Sequence, residues 1–395
     1  MGAARCSFCG LRRSEVDALV VGIDEAAICT GCAEIAAGII DAPVHHREIV
    51  YTGLSSVVTN DPRIGPEFGT IEDAAIVVRN DHIAWIGTER DLPMRYREYP
   101  ELECEGRMAI PGMVDAGTEL LGVVPDHRPD PDEMIGTAAA AMRLALAHGV
   151  TMLDVRAGGS GDATIDAVLL AAARAASELA DPQRIGITWV AGRRADTAFL
   201  VDVMAPTVGR IASAVELACS GVDGADHLNR QLASLRRLPV RIRLCELDPG
   251  PCAALAEGAR SVESERWSVL PADTTPVLEP LALLDGVPVD ARSLWDAGGR
   301  PAIATRSNPD GRSVAGMTLA ITLAVCMCGL TIGEAIWAAT RGGALALGDS
   351  ERGRLRVTDP ADFVVLATHD PVSLVRNPDT NPVWKVVVNG QEVAV

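Results

Sequence analysis

Between about residues 113 and 347, short apolar runs alternate with alanine-rich stretches of helical length, and this alternation restricts the fold more than any other feature. The runs include Thr151–Val155, Ile185–Val190, Val240–Leu244 and Pro301–Ala304, and the stretches include Ile135–Ala147, Ala163–Leu179 and Leu319 to about Met327. Such alternation implies a parallel sheet covered by helices, and its length suits a (β/α)8 barrel. The flanks read differently. Ile49–Tyr51, Ala74–Val78 and Ile83–Ile86 are short strand-like runs with turn residues such as Asn80-Asp81 between them. After 350, Gly353–Val357, Phe363–Leu366 and Val383–Val388 return to strand character. The economical architecture is α/β: a barrel at 113–347 with a β-sandwich domain split between 46–112 and 348–395.

The first 45 residues form a separate module, followed by a linker near Asp41–Glu48. Cys6-x2-Cys9 and Cys29-x2-Cys32 are two thiolate knuckles of the spacing that completes a tetrahedron around Zn²⁺. Four thiolates leave no open coordination position, so one structural zinc per chain is expected, supplying much of the folding energy of so short a piece. Val16, Leu19 and Val20 give one apolar face and Ile28, Ile35, Ile39 and Ile40 another, more than one ion covers, which points to a protein partner or a second copy, a homodimer. The other six cysteines are scattered and read as small buried apolar residues.

Charge narrows the partners. The net charge is −18, which disfavours nucleic acid and anionic membranes, and residues 1–48 hold four Arg against seven Asp and Glu. No apolar run reaches the roughly 18–20 residues that span a bilayer. Residues 1–30 lack the apolar stretch of a signal peptide, so a soluble cytoplasmic protein is expected. The only lysine is Lys385, so no lysine is available to a site in the middle of the fold.

Two resemblances emerge. Cys-Ser-Phe-Cys-Gly-Leu-Arg-Arg-Ser-Glu-Val at 6–16 and Ile-Cys-Thr-Gly-Cys-Ala-Glu-Ile at 28–35 resemble the zinc-binding domain of the ClpX chaperone, over about residues 4–41. The resemblance implies dimerisation and the docking of adaptors, with a Clp protease system as the partner setting. No Gly-x4-Gly-Lys-Ser/Thr phosphate loop accompanies it. From about 49 to 395 the chain resembles imidazolonepropionase, an amidohydrolase of histidine breakdown. That likeness rests on Pro111-Gly112-Met113-Val114-Asp115, Gly149-Val150-Thr151, Asp154-Val155-Arg156, Leu270-Pro271, Ala304–Pro309, Gly329-Leu330-Thr331, and the tail Asp359-Pro360-Ala361-Asp362-Phe363-Val364-Val365.

What the family would use for metal is largely replaced. The His-x-His pair falls on Gly117 and Glu119, the histidine closing the middle strand on Cys245, and the next histidine near Ser264. A further active-site histidine falls on Arg193, and the aspartate of Thr-Asp-x-Asn-Pro falls on Arg306. Asn308 and Pro309 are kept, and Arg128 stands where the family has a substrate-binding arginine. Three arrangements fit these replacements. Arg306 pairs with Glu119 across the old metal position; or the arginines point outward around a collapsed pocket; or Arg128, Arg156 and Asn308 help to hold an anionic small ligand. The expected function is therefore a non-catalytic amidohydrolase-like protein with a docking or dimerising zinc finger. The alternative is a hydrolase of non-peptide C–N bonds with an altered or metal-free site, for which Cys245-Glu246 is the only tempting pair.

Overall fold

The computed structural model describes residues 5–16, 18–21, 26–33, 48–65, 68–121, 130–160, 162–191, 211–219, 230–233, 235, 241–246, 259–263, 273–308 and 316–393. The chain forms two compact units, Met1–Arg47 and Glu48–Val395.

In the first unit, β1 (Leu19–Val21) pairs antiparallel with β2 (Ala27–Cys29). Before them a tight turn brings Gly10 N onto Cys6 O at 2.9 Å, with Gly10 at φ +75°, a left-handed position that glycine adopts at little cost. The expected apolar face at Ile35, Ile39 and Ile40 lies outside the described residues.

The second unit contains the barrel and the β-domain. Eight parallel strands follow one another in chain order: β8 (Met113–Thr118), β9 (Val150–Gly158), β10 (Arg184–Ala191), β11 (Ala214–Cys219), β12 (Arg241–Glu246), β13 (Ser261–Glu263), β14 (Thr275–Leu278) and β15 (Ala302–Ile303). The ring closes just past β15, where Arg306 N donates to Gly117 O at 2.9 Å and Glu119 N to Ser307 O at 2.8 Å. Helices cover the outside. The first, α1 (Pro131–Ala147), starts before its apolar period because Asp130 caps it through Asp132 N and Pro131 fills a first-turn position that needs no donor. The second, α2 (Ala163–Glu178), is capped by Asp162 through Thr164 N and Ile165 N. Met142, Leu153, Leu170, Trp189 and Ile321 belong to the main core between strands and helices.

The β-domain strands are β3 (Glu48–Val58), β4 (Thr70–Arg79), β5 (His82–Thr88), β6 (Glu101–Glu103), β7 (Met108–Pro111), β16 (Phe363–Leu366), β17 (Val383–Val388) and β18 (Gln391–Val393). They hydrogen-bond into one sheet, with β7 joining the N-terminal and C-terminal segments. The expected sandwich is thus a single sheet curled on itself. Tyr51 of β3 and Phe363 of β16 share one core with ring centroids 4.9 Å apart. Gly353–Val357, expected as a strand, is irregular. Gly353 sits at φ +70° against Thr340 O, and the Arg354 and Arg356 side chains turn to Asp359 and Asp61 instead of alternating across a sheet. Among the described residues no helix is long and apolar enough to cross a membrane.

Candidate functional site

The zinc knuckles assemble as their spacing implies. The Sγ atoms of Cys6, Cys9, Cys29 and Cys32 all lie within 4.8 Å of one another. Cys9 and Cys29 Sγ are 3.8 Å apart, the edge of a tetrahedron with Zn–S bonds of about 2.3 Å. Backbone amides support the thiolates: Cys29 N points at Cys6 Sγ and Cys32 N at Cys29 Sγ, both at 3.4 Å. The donor set fits one structural Zn²⁺.

The barrel interior carries a different chemistry. Alternate residues of a barrel strand face inward, and here many of these are charged. Deepest is Arg243 of β12, almost fully buried, whose Nη1 donates to Asp154 Oδ2 of β9 at 2.6 Å and whose Nη2 donates to Ala116 O of β8 at 2.7 Å. Asp154 also accepts from Thr188 Oγ1. Next, Arg156 of β9 donates through Nη1 to Glu119 Oε1 at 3.1 Å and through Nη2 to Glu216 Oε1 of β11. At the mouth, the Arg306 guanidinium meets three carboxylates. Nη1 lies 3.0 Å from Glu119 Oε1, Nη2 lies 3.2 Å from Glu263 Oε1 of β13, and Nε contacts Glu279 Oε1 just beyond β14. These are close ionic contacts rather than well-aligned hydrogen bonds, since Arg306 Nη1 and Glu279 Oε1 find no partner of good direction.

So many acids around so few cations shift the titrations. Burial, then the charge of Glu263 and a hydrogen bond to it, push Glu279 up to about 11, so at neutral pH Glu279 holds a proton and donates it to Glu263. Burial raises Asp115 to about 6, although it accepts from Thr305 N and Gly117 N. Burial works against the charge of Arg156, yet Glu216 and Glu263 hold its pKa well above the ordinary value. Cys245 Sγ lies 3.9 Å from Glu263 Oε1, and burial followed by that carboxylate pushes its thiol well above the usual range. It is a thiol at neutral pH and a poor nucleophile. The carboxylate facing it is that of Glu263.

The metal implied by the fold does not fit these residues. Among the described residues, the four cysteines are the one group of three or more ligand-type side chains whose donor atoms converge. A Cβ on Gly117 would lie 3.5 Å from Arg156 Cδ, 3.6 Å from Ala304 Cβ and 3.7 Å from Arg243 Nη2. A methyl group is accommodated there, and the imidazole of His-x-His would have to extend past the Arg156 and Arg243 side chains that already crowd the position.

The structure thus brings Gly117, Glu119, Arg156, Cys245 and Arg306 together, with Arg306 on Glu119 as one of the three sequence readings has it. The outward-pointing reading fails, because Arg156 and Arg306 face inward onto carboxylates. Both are engaged by those carboxylates. Arg128, Arg193 and Ser264 lie outside the described residues. Asn308 lines a cavity of about 360 Å³ beside α1, together with Asp115, Thr118 and Leu144. Sequence reasoning missed Asp154, Glu216, Arg243, Glu263 and Glu279. The signal was present: Arg241, Arg243 and Cys245 alternate with Ile242 and Leu244, and Asp154 and Arg156 flank Val155, a period of two that marks inward positions.

Comparison with known proteins agrees with both parts of the chain. The profile of the ClpX C4-type zinc finger matches residues 4–42, and that of the amidohydrolase family matches residues 314–394. An imidazolonepropionase from Saccharopolyspora erythraea is 31% identical over 389 residues, covering 85% of this chain and 97% of that protein. One from Agrobacterium fabrum is 27% identical, covering 82% and 92%. Among solved structures, the zinc complex of an atrazine chlorohydrolase from Arthrobacter aurescens superposes with a TM-score of 0.71 at 18% identity, covering 88% of this chain and 95% of that one. An ochratoxinase from A. niger gives a TM-score of 0.66 at 17% identity.

Proposed function

Because the chain belongs to the imidazolonepropionase family, we propose that its barrel has left metal-assisted hydrolysis and serves as the body of a non-catalytic protein, which its zinc finger docks to a partner or to a second copy. The observation that carries the reading is the Arg306 guanidinium in contact with Glu119, Glu263 and Glu279. A hydrolytic metal works by coordinating water and lowering its pKa. A guanidinium supplies positive charge there but no coordination position. For the finger, the supporting feature is its exposed apolar side chains Phe8, Leu11, Val20 and Val21. The ClpX likeness makes a component of a Clp-type proteolytic system the partner to try first.

The alternative, a metal-free hydrolase of C–N bonds, draws on one observation. Protonated Glu279 against Glu263 is the kind of acid–base pair that hydrolysis uses. Against it, both carboxyl groups contact Arg306, and the neighbouring Cys245 is not an activated nucleophile.

Metal analysis and turnover decide between them. The purified protein is expected to hold about one zinc per chain, falling to none in the Cys6→Ser/Cys9→Ser variant, and to leave imidazolonepropionate unhydrolysed. A second tight metal that survives the cysteine changes, or turnover of that substrate, refutes the non-catalytic reading. Deleting residues 1–45 is expected to abolish self-association or partner capture; unchanged association refutes the docking role.

A further inference from the structure

Among the described residues of the barrel, Arg306 is the only non-glycine residue with a positive φ, +53°. A left-handed backbone is strained for arginine. Aspartate, which the family motif has at this point, tolerates it better because a short polar side chain can bond locally. The chain therefore keeps a long side chain on an unfavourable backbone, and the backbone itself is held there by the bond from Arg306 N to Gly117 O. What the side chain gains is contact with carboxylates from three places around the mouth: the end of β8, β13 and the segment after β14. Glu263 and Glu279 are mostly buried, and with the proton on Glu279 the charge left on Glu263 would, without a cation, repel that of Glu119. The neighbouring guanidinium groups of Arg156 and Arg243 are engaged elsewhere, Arg156 mainly with Glu216 and Arg243 with Asp154.

We infer that Arg306 is a tethered cation that has taken over the structural half of what a barrel metal does. It neutralises converging carboxylates and ties the first, sixth, seventh and eighth strand ends together. The chemical half, activating water, has no counterpart in it. The inference rests on the same reading of the strand ends as the proposed function, but its readout is stability and not turnover. Hydrolysis by the unaltered protein would overturn the function and leave this inference standing.

The test is thermal unfolding of the full chain with Arg306→Gly. Glycine relieves the backbone strain, so a merely strained arginine would give a variant as stable as the parent or more so. A tethered cation gives the opposite: Tm falls by roughly 4 °C or more, and millimolar methylguanidinium recovers part of the loss where equal sodium chloride does not. A Tm at or above the parent's overturns the inference, and so does a fall that methylguanidinium leaves untouched, since that assigns the loss to packing. Should Arg306→Gly fail to fold, Arg306→Lys is compared with Arg306→Gln. Lysine above glutamine supports a cationic role; glutamine equal to or above lysine overturns it.

Discussion

Replacing Arg243 with methionine tests whether the charged interior is an interlocked network. Methionine keeps most of the length and apolar stem of arginine, so the substitution removes charge and donors with little change in packing. Among the described residues it leaves Asp154, fully buried, with Thr188 as its one side-chain hydrogen-bond donor, and it strips the donor from Ala116 O. Breaking a buried ion pair from one side costs about 3–5 kcal/mol. At about 2 cal/mol/K of unfolding entropy per residue across Glu48–Val395, that is a Tm drop of roughly 4–7 °C. Asp154 limits its own cost by taking a proton. Burial already raises its pKa, and without Arg243 the rise is larger. A carboxyl whose folded pKa lies above its unfolded value stabilises most at low pH, so the variant's deficit shrinks as the pH falls toward about 4. Adding Asp154→Asn removes the stranded charge while leaving an acceptor for Thr188, so the double variant is expected to recover most of the loss. Scanning fluorimetry or calorimetry at several pH values measures all of this. A single-variant shift below about 2 °C, or a double variant no more stable than the single, refutes the reasoning.

Two further outcomes follow from the same interior. Gly117→Ala is expected to be nearly neutral, because its Cβ meets only ordinary contacts, whereas Gly117→His drives a ring into Arg156 and Arg243 and costs about 1–3 kcal/mol of overpacking; zinc content stays at the finger's single ion, and a second zinc in Gly117→His would show that the guanidinium groups do not exclude metal. Glu279→Gln addresses the shared proton: with Glu279 raised to about 11, its stabilising contribution is complete below its unfolded pKa of roughly 4.3 and declines as pH rises toward 11, so the glutamine variant gains on the parent by up to about 1.4 kcal/mol per pH unit in that window. Urea unfolding near neutral and at mildly alkaline pH checks this, and a pH-independent difference refutes it.

The site was legible in unequal parts. Cys6, Cys9, Cys29 and Cys32 could be assigned because their chemistry is local: two residues between thiolates make a knuckle, and two knuckles make a closed site. Gly117, Glu119, Cys245 and Arg306 could be located through the family's motif order. Which carboxylates Arg306 would meet could not be read, because Glu263 and Glu279 lie far from it in the chain and reach it only when eight strands close into a ring. Glu263 adjoins Ser264, a position the motif order does reach, yet its own role is illegible in the sequence; in a three-residue strand, alternation is too short to mark which side chain faces inward.

By itself, the sequence determined the parallel barrel, the flanking strands and the zinc module, since apolar periodicity and cysteine spacing are properties of short segments. Through the family resemblance it also implied that the usual metal ligands are replaced, at Gly117 and Glu119 among others. Tertiary structure alone decided what replaced them. It curled the split β-domain into one sheet, set Arg243 on Asp154, Arg156 on Glu216, and Arg306 among three carboxylates, and gave Glu279 a proton it would not hold in water. The physical reason is that burial and opposite charge act through space: a side chain's charge state and partner depend on what the closed ring brings within a few ångströms of it, and the order of residues along the chain does not fix that distance.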